Sequence, residues 1–184
     1  MKEYRCELLE VDGLADMLIE WDRKHVDEFY DIDTTRERMS PALSKTRSYF
    51  LRIPNIDLTK IVRTESAQHV LQCVDTKLFL KFPVIHEFIE RVGQRLFGGW
   101  AMLGRVFITR LGPAEKISRH IDEGFYFEKL HRFHVPLKSS GARFMWDDDS
   151  VLLERGFLYR VNNSIPHWVE NGVEYRTHLI FDGC

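Results

Sequence analysis

The spacing of apolar residues changes character near residue 104. Before that point they recur every three or four positions. Asp12 is placed to cap "GLADMLIEWDRKHVDEF", in which Leu14, Leu18, Trp21 and His25 share one face, and this predicts a helix. A second helix opens with Pro83 in its first turn. Ile85, Phe88, Ile89, Val92 and Leu96 form its apolar stripe, and Gly98-Gly99 ends it. Between the two, "DIDTTRERMSPALSKTRS" is polar and interrupted by Pro41, which predicts a loop or flexible connection.

After Gly104 the runs become short, β-branched and aromatic: "RVFITRL", "KISRHID", "RFHVPLK", "ARFMWD", "GFLYRV" and "YRTHLIF". They are separated by the turn-forming "GPAE", "KSSG", "DDDS", "NNSIP" and "ENG". Strands of this length and spacing predict an antiparallel sandwich or barrel. A jelly roll with helices packed outside one sheet accounts for the whole pattern, and it encloses an interior pocket. The expectation is one domain over residues 1–184. Residues 1–103 form a mostly helical or irregular support, and residues 104–184 form the β core.

Length and composition fit that picture. The 184 residues are 44% hydrophobic and 12% aromatic, as in a folded globule that can bury a core. With a net charge of −2 and no Lys/Arg block, the chain lacks the footprint of a nucleic-acid binder. "MKEYRCELLEVDGLADM" carries a charge every few residues, so it reads as neither a leader nor a membrane span. Cys6, Cys73 and Cys184 are odd in number and far apart, which points to reduced thiols and a cytoplasmic protein.

Chemistry concentrates in three places. In a strand, residues two apart point the same way, so His120 and Asp122 of "HID" project together. His167, after "NNSIP", can complete a 2-His-1-carboxylate set, the donor pattern of non-haem iron oxygenases. Taken alone, an H-x-D arises readily by chance among eight histidines. Arg132 and His134 alternate in "RFHVPL", as do Arg176 and His178 in "YRTHLIF", so each pair shares a face. An arginine aimed into a barrel needs an anion, and its planar fork suits a carboxylate; outward-facing, it is merely a solvated charge. Together these residues predict a metal beside a pocket for a small dianionic acid.

The order H-x-D, R-x-H, N-x-x-x-H-W-V-x-N, R-x-H-L-I-x-D resembles the aspartyl/asparaginyl β-hydroxylase family, a group that includes bacterial proline hydroxylases. The matching pieces are "HID" (120–122), "RFH" (132–134), "NSIPHWVEN" (163–171) and "RTHLIFD" (176–182), so the resemblance spans roughly residues 104–184. It implies an iron- and 2-oxoglutarate-dependent oxygenase on a double-stranded β-helix, a cupin-like jelly roll. His120, Asp122 and His167 would be the catalytic iron ligands. Arg176 would take the far carboxylate of 2-oxoglutarate, with Thr109 assisting, while Arg132 and His134 would line the cosubstrate's metal-binding end. His178 would be a pocket-wall or hydrogen-bonding residue, or else a purely structural one. O2 completes the cosubstrates, and the expected products are a hydroxylated substrate, succinate and CO2. Asp122 is absent from the animal aspartyl hydroxylases of the family. Its presence makes this chain resemble the small bacterial branch, and it favours hydroxylation over halogenation.

Two other classes use the same residues. A non-catalytic cupin-like module could hold a small acid, and a zinc hydrolase could activate water with His/Asp/His. The substrate is expected to be a free amino acid or an Asp/Asn/Pro-like side chain of a peptide, met by loops at the barrel mouth. The segment 31–48 is long and polar enough to act as a lid. "WDDDS" (146–150) reads as a solvated turn, Trp100 as packing between helix and barrel, and Asn162 and Asn163 as turn residues.

Overall fold

The computed structural model describes residues 4–9, 16, 18, 41–55, 72–77, 79–139 and 141–184. Its strands are β1 (Cys6–Leu9), β2 (Thr46–Pro54), β3 (Cys73–Asp75), β4 (Leu103–Leu111), β5 (Lys116–His120), β6 (His131–Lys138), β7 (Arg143–Trp146), β8 (Asp149–Leu152), β9 (Leu158–Val161), β10 (His167–Glu170) and β11 (Arg176–Gly183). Two helices, α1 (Pro83–Phe97) and α2 (Phe125–Lys129), and single 3-10 turns at Pro41–Leu43 and Phe79–Lys81 complete the described elements. The strands form a seven-stranded sheet, ordered β1-β9-β6-β11-β4-β2-β3, and a four-stranded sheet, ordered β5-β10-β7-β8. All pairings are antiparallel. This is the predicted mainly β, double-stranded β-helix architecture.

Alternation along the large sheet separates structure from chemistry. Val106 and Ile108 of β4, Phe133, Val135 and Leu137 of β6, and Leu179 and Phe181 of β11 share one core with Ile85, Phe88, Ile89 and Val92 of α1. The intervening residues therefore face the small sheet: Arg105, Phe107 and Thr109; Arg132 and His134; Arg176, His178, Ile180 and Asp182. A second core, including Ile117, Phe144, Trp146, Tyr159 and Val169, fills the space between the sheets.

The helix read from Pro83 to Phe97 forms as expected. Pro83 occupies a first-turn position where no N–H is needed, and Gly98 closes the helix with φ 70°, its N–H donating to Gln94 O at 3.1 Å. Trp100 sits where α1 meets the sheet. Its Nε1 donates to Ile89 O at 2.9 Å, and its ring packs against Phe97, Phe133 and Phe181. Of the helix expected after Asp12, only Asp16 and Leu18 are described; both are helical, and Leu18 is fully buried in the α1 core.

The N-terminal part departs from expectation in one respect. Among described residues of 1–103, three segments are strands and not helical or irregular chain. β2 pairs along β4 and extends the large sheet, while β1 closes its other edge on β9. Their partners lie tens to more than a hundred residues away, and Glu7, Arg47 and Arg52 break the apolar alternation that would have marked them. Most of the proposed lid lies outside the described residues. Its end, Pro41–Leu43, is a 3-10 turn, with Thr46 Oγ1 donating to Leu43 O at 2.8 Å.

Candidate active site

The site forms where β5 and β10 run side by side. His120 stands directly opposite His167 in the antiparallel register, with ring centroids 4.3 Å apart. Asp122 reaches the same point by a route the sequence reading did not foresee. β5 ends at His120, and Asp122 lies in the following coil, so strand alternation does not place it. Asn163 does. Its carbonyl accepts from the Asp122 N–H at 3.0 Å, and its Nδ2 donates to Asp122 Oδ2 at 2.9 Å. Donor atoms of His120, Asp122 and His167 lie within 4.8 Å of one another, with His120 Nε2 3.8 Å from Asp122 Oδ1.

Backbone carbonyls orient both imidazoles. His120 Nδ1 lies 2.7 Å from Ser118 O, and His167 Nδ1 lies 2.9 Å from Ile165 O. A carbonyl only accepts, so in the neutral ring the proton sits on Nδ1 and the lone pair on Nε2 faces the centre. Phe144 stacks on His167 at 5.2 Å, nearly parallel, and fixes the plane of that ring. Burial, followed by the nearby His120, pulls the His167 pKa down to about 4, which keeps it a neutral donor. Burial raises the pKa of Asp122, but Arg132, Asn163 and the two imidazoles outweigh it and hold the carboxyl well below its usual range. Two imidazole nitrogens and one carboxylate on one side of an open space fit a divalent cation.

Arg132 lines the cavity as expected, and its guanidinium already carries carboxylate partners of its own. Its Nε and Nη2 donate to the two oxygens of Asp182, at 2.8 and 3.1 Å, and its Nη1 donates to Asp122 Oδ2. The guanidinium is thus committed to two carboxylates, though it still lines the cavity. The reason lies in the register: Asp182 stands opposite Arg132 in the β6–β11 pairing. Asp182 is 1% exposed and also accepts from Tyr126 Oη at 3.0 Å and Arg105 Nε at 3.2 Å. The sequence reading passed over Asp182, Tyr126 and this role of Asn163. The i+6 position of Asp182 on the face of Arg176 was the available signal.

Arg176 has no such partner. It is 2% exposed, none of the described carboxylates pairs with it, and its Nη1 is buried without a hydrogen bond. Among the described residues its side chain hydrogen-bonds to His178, whose Nδ1 accepts from Nη2 at 3.0 Å. Burial lowers its pKa to about 9, so it stays charged at neutral pH. Thr109, opposite His178 in the register, lines the same cavity as Arg176 and accepts from Ser48 Oγ at 3.2 Å. His134 lies inside too, 3.4 Å from His178 between their Nδ1 atoms. Burial, with Arg176 second, keeps both of these histidines uncharged. His120, Asp122, His167, Arg132, His134, Thr109 and Arg176 all face one cavity, joined by Leu43 from the segment proposed as a lid. His178 is adjacent and meets it through Arg176 and His134.

The other readings resolve simply. Asp147 and Asp148 of "WDDDS" occupy the β7–β8 turn and pair with Arg119 and Arg5. Asn162 Oδ1 accepts from the Ser164 N–H and hydroxyl, which is turn chemistry as expected.

Comparison with known proteins agrees with this geometry. No curated protein sequence matches the chain. The fold resembles that of a Pseudomonas putida prolyl-4-hydroxylase, at 14% identity and TM-score 0.54 over 98% of this chain and 92% of that one. It also resembles a 2OG-Fe(II) oxygenase family oxidoreductase from Burkholderia pseudomallei, at 13% identity and TM-score 0.55 over 98% and 93%. These likenesses bear on the fold. The model of the aspartyl/asparaginyl beta-hydroxylase family matches residues 68–184, well over half of the sequence. The chain is an oxygenase and belongs to the aspartyl/asparaginyl β-hydroxylase family.

Proposed function

We propose that the protein is an Fe(II)- and 2-oxoglutarate-dependent hydroxylase of an amino-acid-type substrate. His120, Asp122 and His167 would hold the iron, and Arg176, supported by Thr109, would take the far carboxylate of 2-oxoglutarate. The observation that carries the reading is Arg176: a buried guanidinium with an unpartnered Nη1, in the cavity that the three donors enclose. A charge buried this way is costly without a counter-ion, and a planar carboxylate supplies one. A purely structural metal gives that guanidinium no partner, whereas the carboxylate of another small acid would serve it equally, which succinate release distinguishes.

Bound iron and 2-oxoglutarate supply the oxidising chemistry: O2 and 2-oxoglutarate are consumed, a C–H bond becomes C–OH, and succinate and CO2 leave. The protein's part is positional. His120 and His167 present Nε2 atoms fixed by their Nδ1 contacts. His134, neutral and buried, walls the cavity without adding charge. Phe144, Ile117, Val169 and Leu43 keep it apolar and exclude water. The substrate would be a free amino acid or an Asp/Asn/Pro-like residue of a peptide. Three unpaired cysteines among the described residues suit a cytoplasmic setting. No described helix is long and apolar enough to cross a membrane.

Anaerobic titration with Fe(II) and 2-oxoglutarate should give the weak visible charge-transfer absorption of a chelate, lost in His120→Ala. A flat spectrum shared by both proteins would remove the assignment. A succinate-release screen over free amino acids and short peptides, read by mass for one added oxygen, then identifies the substrate class. Absence of succinate for every substrate, despite a chelate spectrum, would favour the small-acid binding module.

A further inference from the structure

Four buried or half-buried groups behind the metal donors share protons and charge in one cluster. Asp182 accepts from Arg132 through both of its oxygens, from Arg105, and from the hydroxyl of Tyr126 in α2. Tyr126 Oη in turn accepts from the Arg105 N–H at 2.7 Å. A Cβ on the neighbouring Gly104 would stand 2.3 Å from that oxygen, so a side chain there would have to displace it. Arg132 is the only member that touches a proposed metal donor, at Asp122 Oδ2.

The geometry points to Asp182 as a positioning residue for the metal-binding carboxylate. A guanidinium offers a carboxylate either its Nε/Nη edge or its terminal Nη pair. Asp182 takes the first edge in bidentate fashion and so fixes the plane and direction of the fork. What remains for Asp122 is the single Nη1, which engages Oδ2 beside Asn163 Nδ2. Oδ1, the oxygen that faces His120 Nε2, has no hydrogen-bond donor among the described residues and is open to the ion. Without Asp182, Arg132 keeps one anionic partner. It can then turn both terminal nitrogens onto Asp122, cover Oδ1 and compete with the metal. Arg132 on this view serves the carboxylate ligand from the wall of the same cavity. Tyr126 ties the setting to α2, the short helix between Asp122 and Arg132 in sequence.

The inference rests on the assignment of His120, Asp122 and His167 as metal donors, and Co(II) tests it without oxygen chemistry. Wild type should bind Co(II) with a ligand-field spectrum that His120→Ala abolishes. Asp182→Asn, which keeps shape but loses charge and one acceptor, should bind Co(II) about 10- to 100-fold more weakly. Its spectrum should also change, reporting altered carboxylate coordination, which a merely structural defect would not produce in protein that remains folded by circular dichroism. Tyr126→Phe, milder and placed one step back, should weaken Co(II) at least threefold and decides the matter if Asp182→Asn does not fold. Folded variants with wild-type affinity and spectrum overturn the positioning role and leave the donor assignment standing. Equal Co(II) binding by wild type and His120→Ala overturns both.

Discussion

On the proposed function, Arg176 is a single side chain that is unfavourable for folding and needed to hold the cosubstrate. Its guanidinium is buried, charged, and served only by a neutral histidine. Breaking or lacking the counter-ion of a buried charge costs several kcal/mol, so the ligand-free protein carries that burden until an anion arrives. Replacing it with a chain of similar length and no charge should relieve the strain while removing the anion site. Arg176→Met is therefore expected to unfold at a temperature equal to or above that of wild type without ligand, and to lose at least 100-fold in 2-oxoglutarate affinity by calorimetric titration. A variant that is both strongly destabilised and still binds would show that Arg176 is a packing residue. The motif order exposed this residue, and the pairing of arginine with histidine two positions on correctly placed both inside. Arg132 follows the same pattern and lines the same cavity, but its pairing with Asp182 was not legible. Alternation gives the face of a side chain, whereas its partner is set by register across strands fifty residues apart, which a single sequence does not display.

Among the elements, α1 and the strands it covers were legible because their patterns are local. A 3.6-residue stripe with Pro at one end and Gly at the other needs no distant information. β2 was hidden because its alternation is broken by Arg47 and Arg52, and Arg52 is held by Asp75 of β3. The same distinction separates His120 and His167, recognisable by type and spacing, from Asn163, whose hold on Asp122 depends on a coil conformation. The joint between α1 and the sheet is carried by Trp100, lodged against Phe97, Phe133 and Phe181 with its indole N–H satisfied by the helix backbone. Trp100→Ala should cost about 3–5 kcal/mol of unfolding free energy, measured by urea denaturation. Because the ring packs on the face opposite the cavity, Co(II) affinity of the folded variant should stay within about twofold, in keeping with the near-additivity of separated sites. A loss below about 1 kcal/mol would mean that the helix is held mainly elsewhere.

At the scale of the molecule, burying so many titratable groups makes stability depend on acid. His134 and His178 are held well below their ordinary pKa by burial, and His167 at about 4, whereas each protonates near 6.5 once the chain unfolds. As pH falls below 6.5 the unfolded chain takes up protons that the folded chain refuses, so stability declines with acid. The limiting slope is about 1.4 kcal/mol per pH unit for each such histidine. Asp122 and Asp182 act in the same direction at lower pH. Their folded pKa values are depressed, so the stability they add is complete above the unfolded carboxylate value near 4 and is lost as pH drops through it. The metal-free protein should thus show a urea midpoint that is flat above pH 7 and falls steeply from about 6.5 towards 4. A midpoint unchanged between pH 7 and 5 would contradict neutral histidines in the interior.

The direct opposition of His120 and His167 has a mechanical corollary. An ion gripped by both rings is a rivet driven through two neighbouring strands at matching positions, and a slip of one residue in either strand turns one ring to the other face and shears the rivet. On the proposed assignment, loading the site would select one alignment of the small sheet from all its near-misses, so that the same two side chains would guard the fold's fidelity as well as its chemistry.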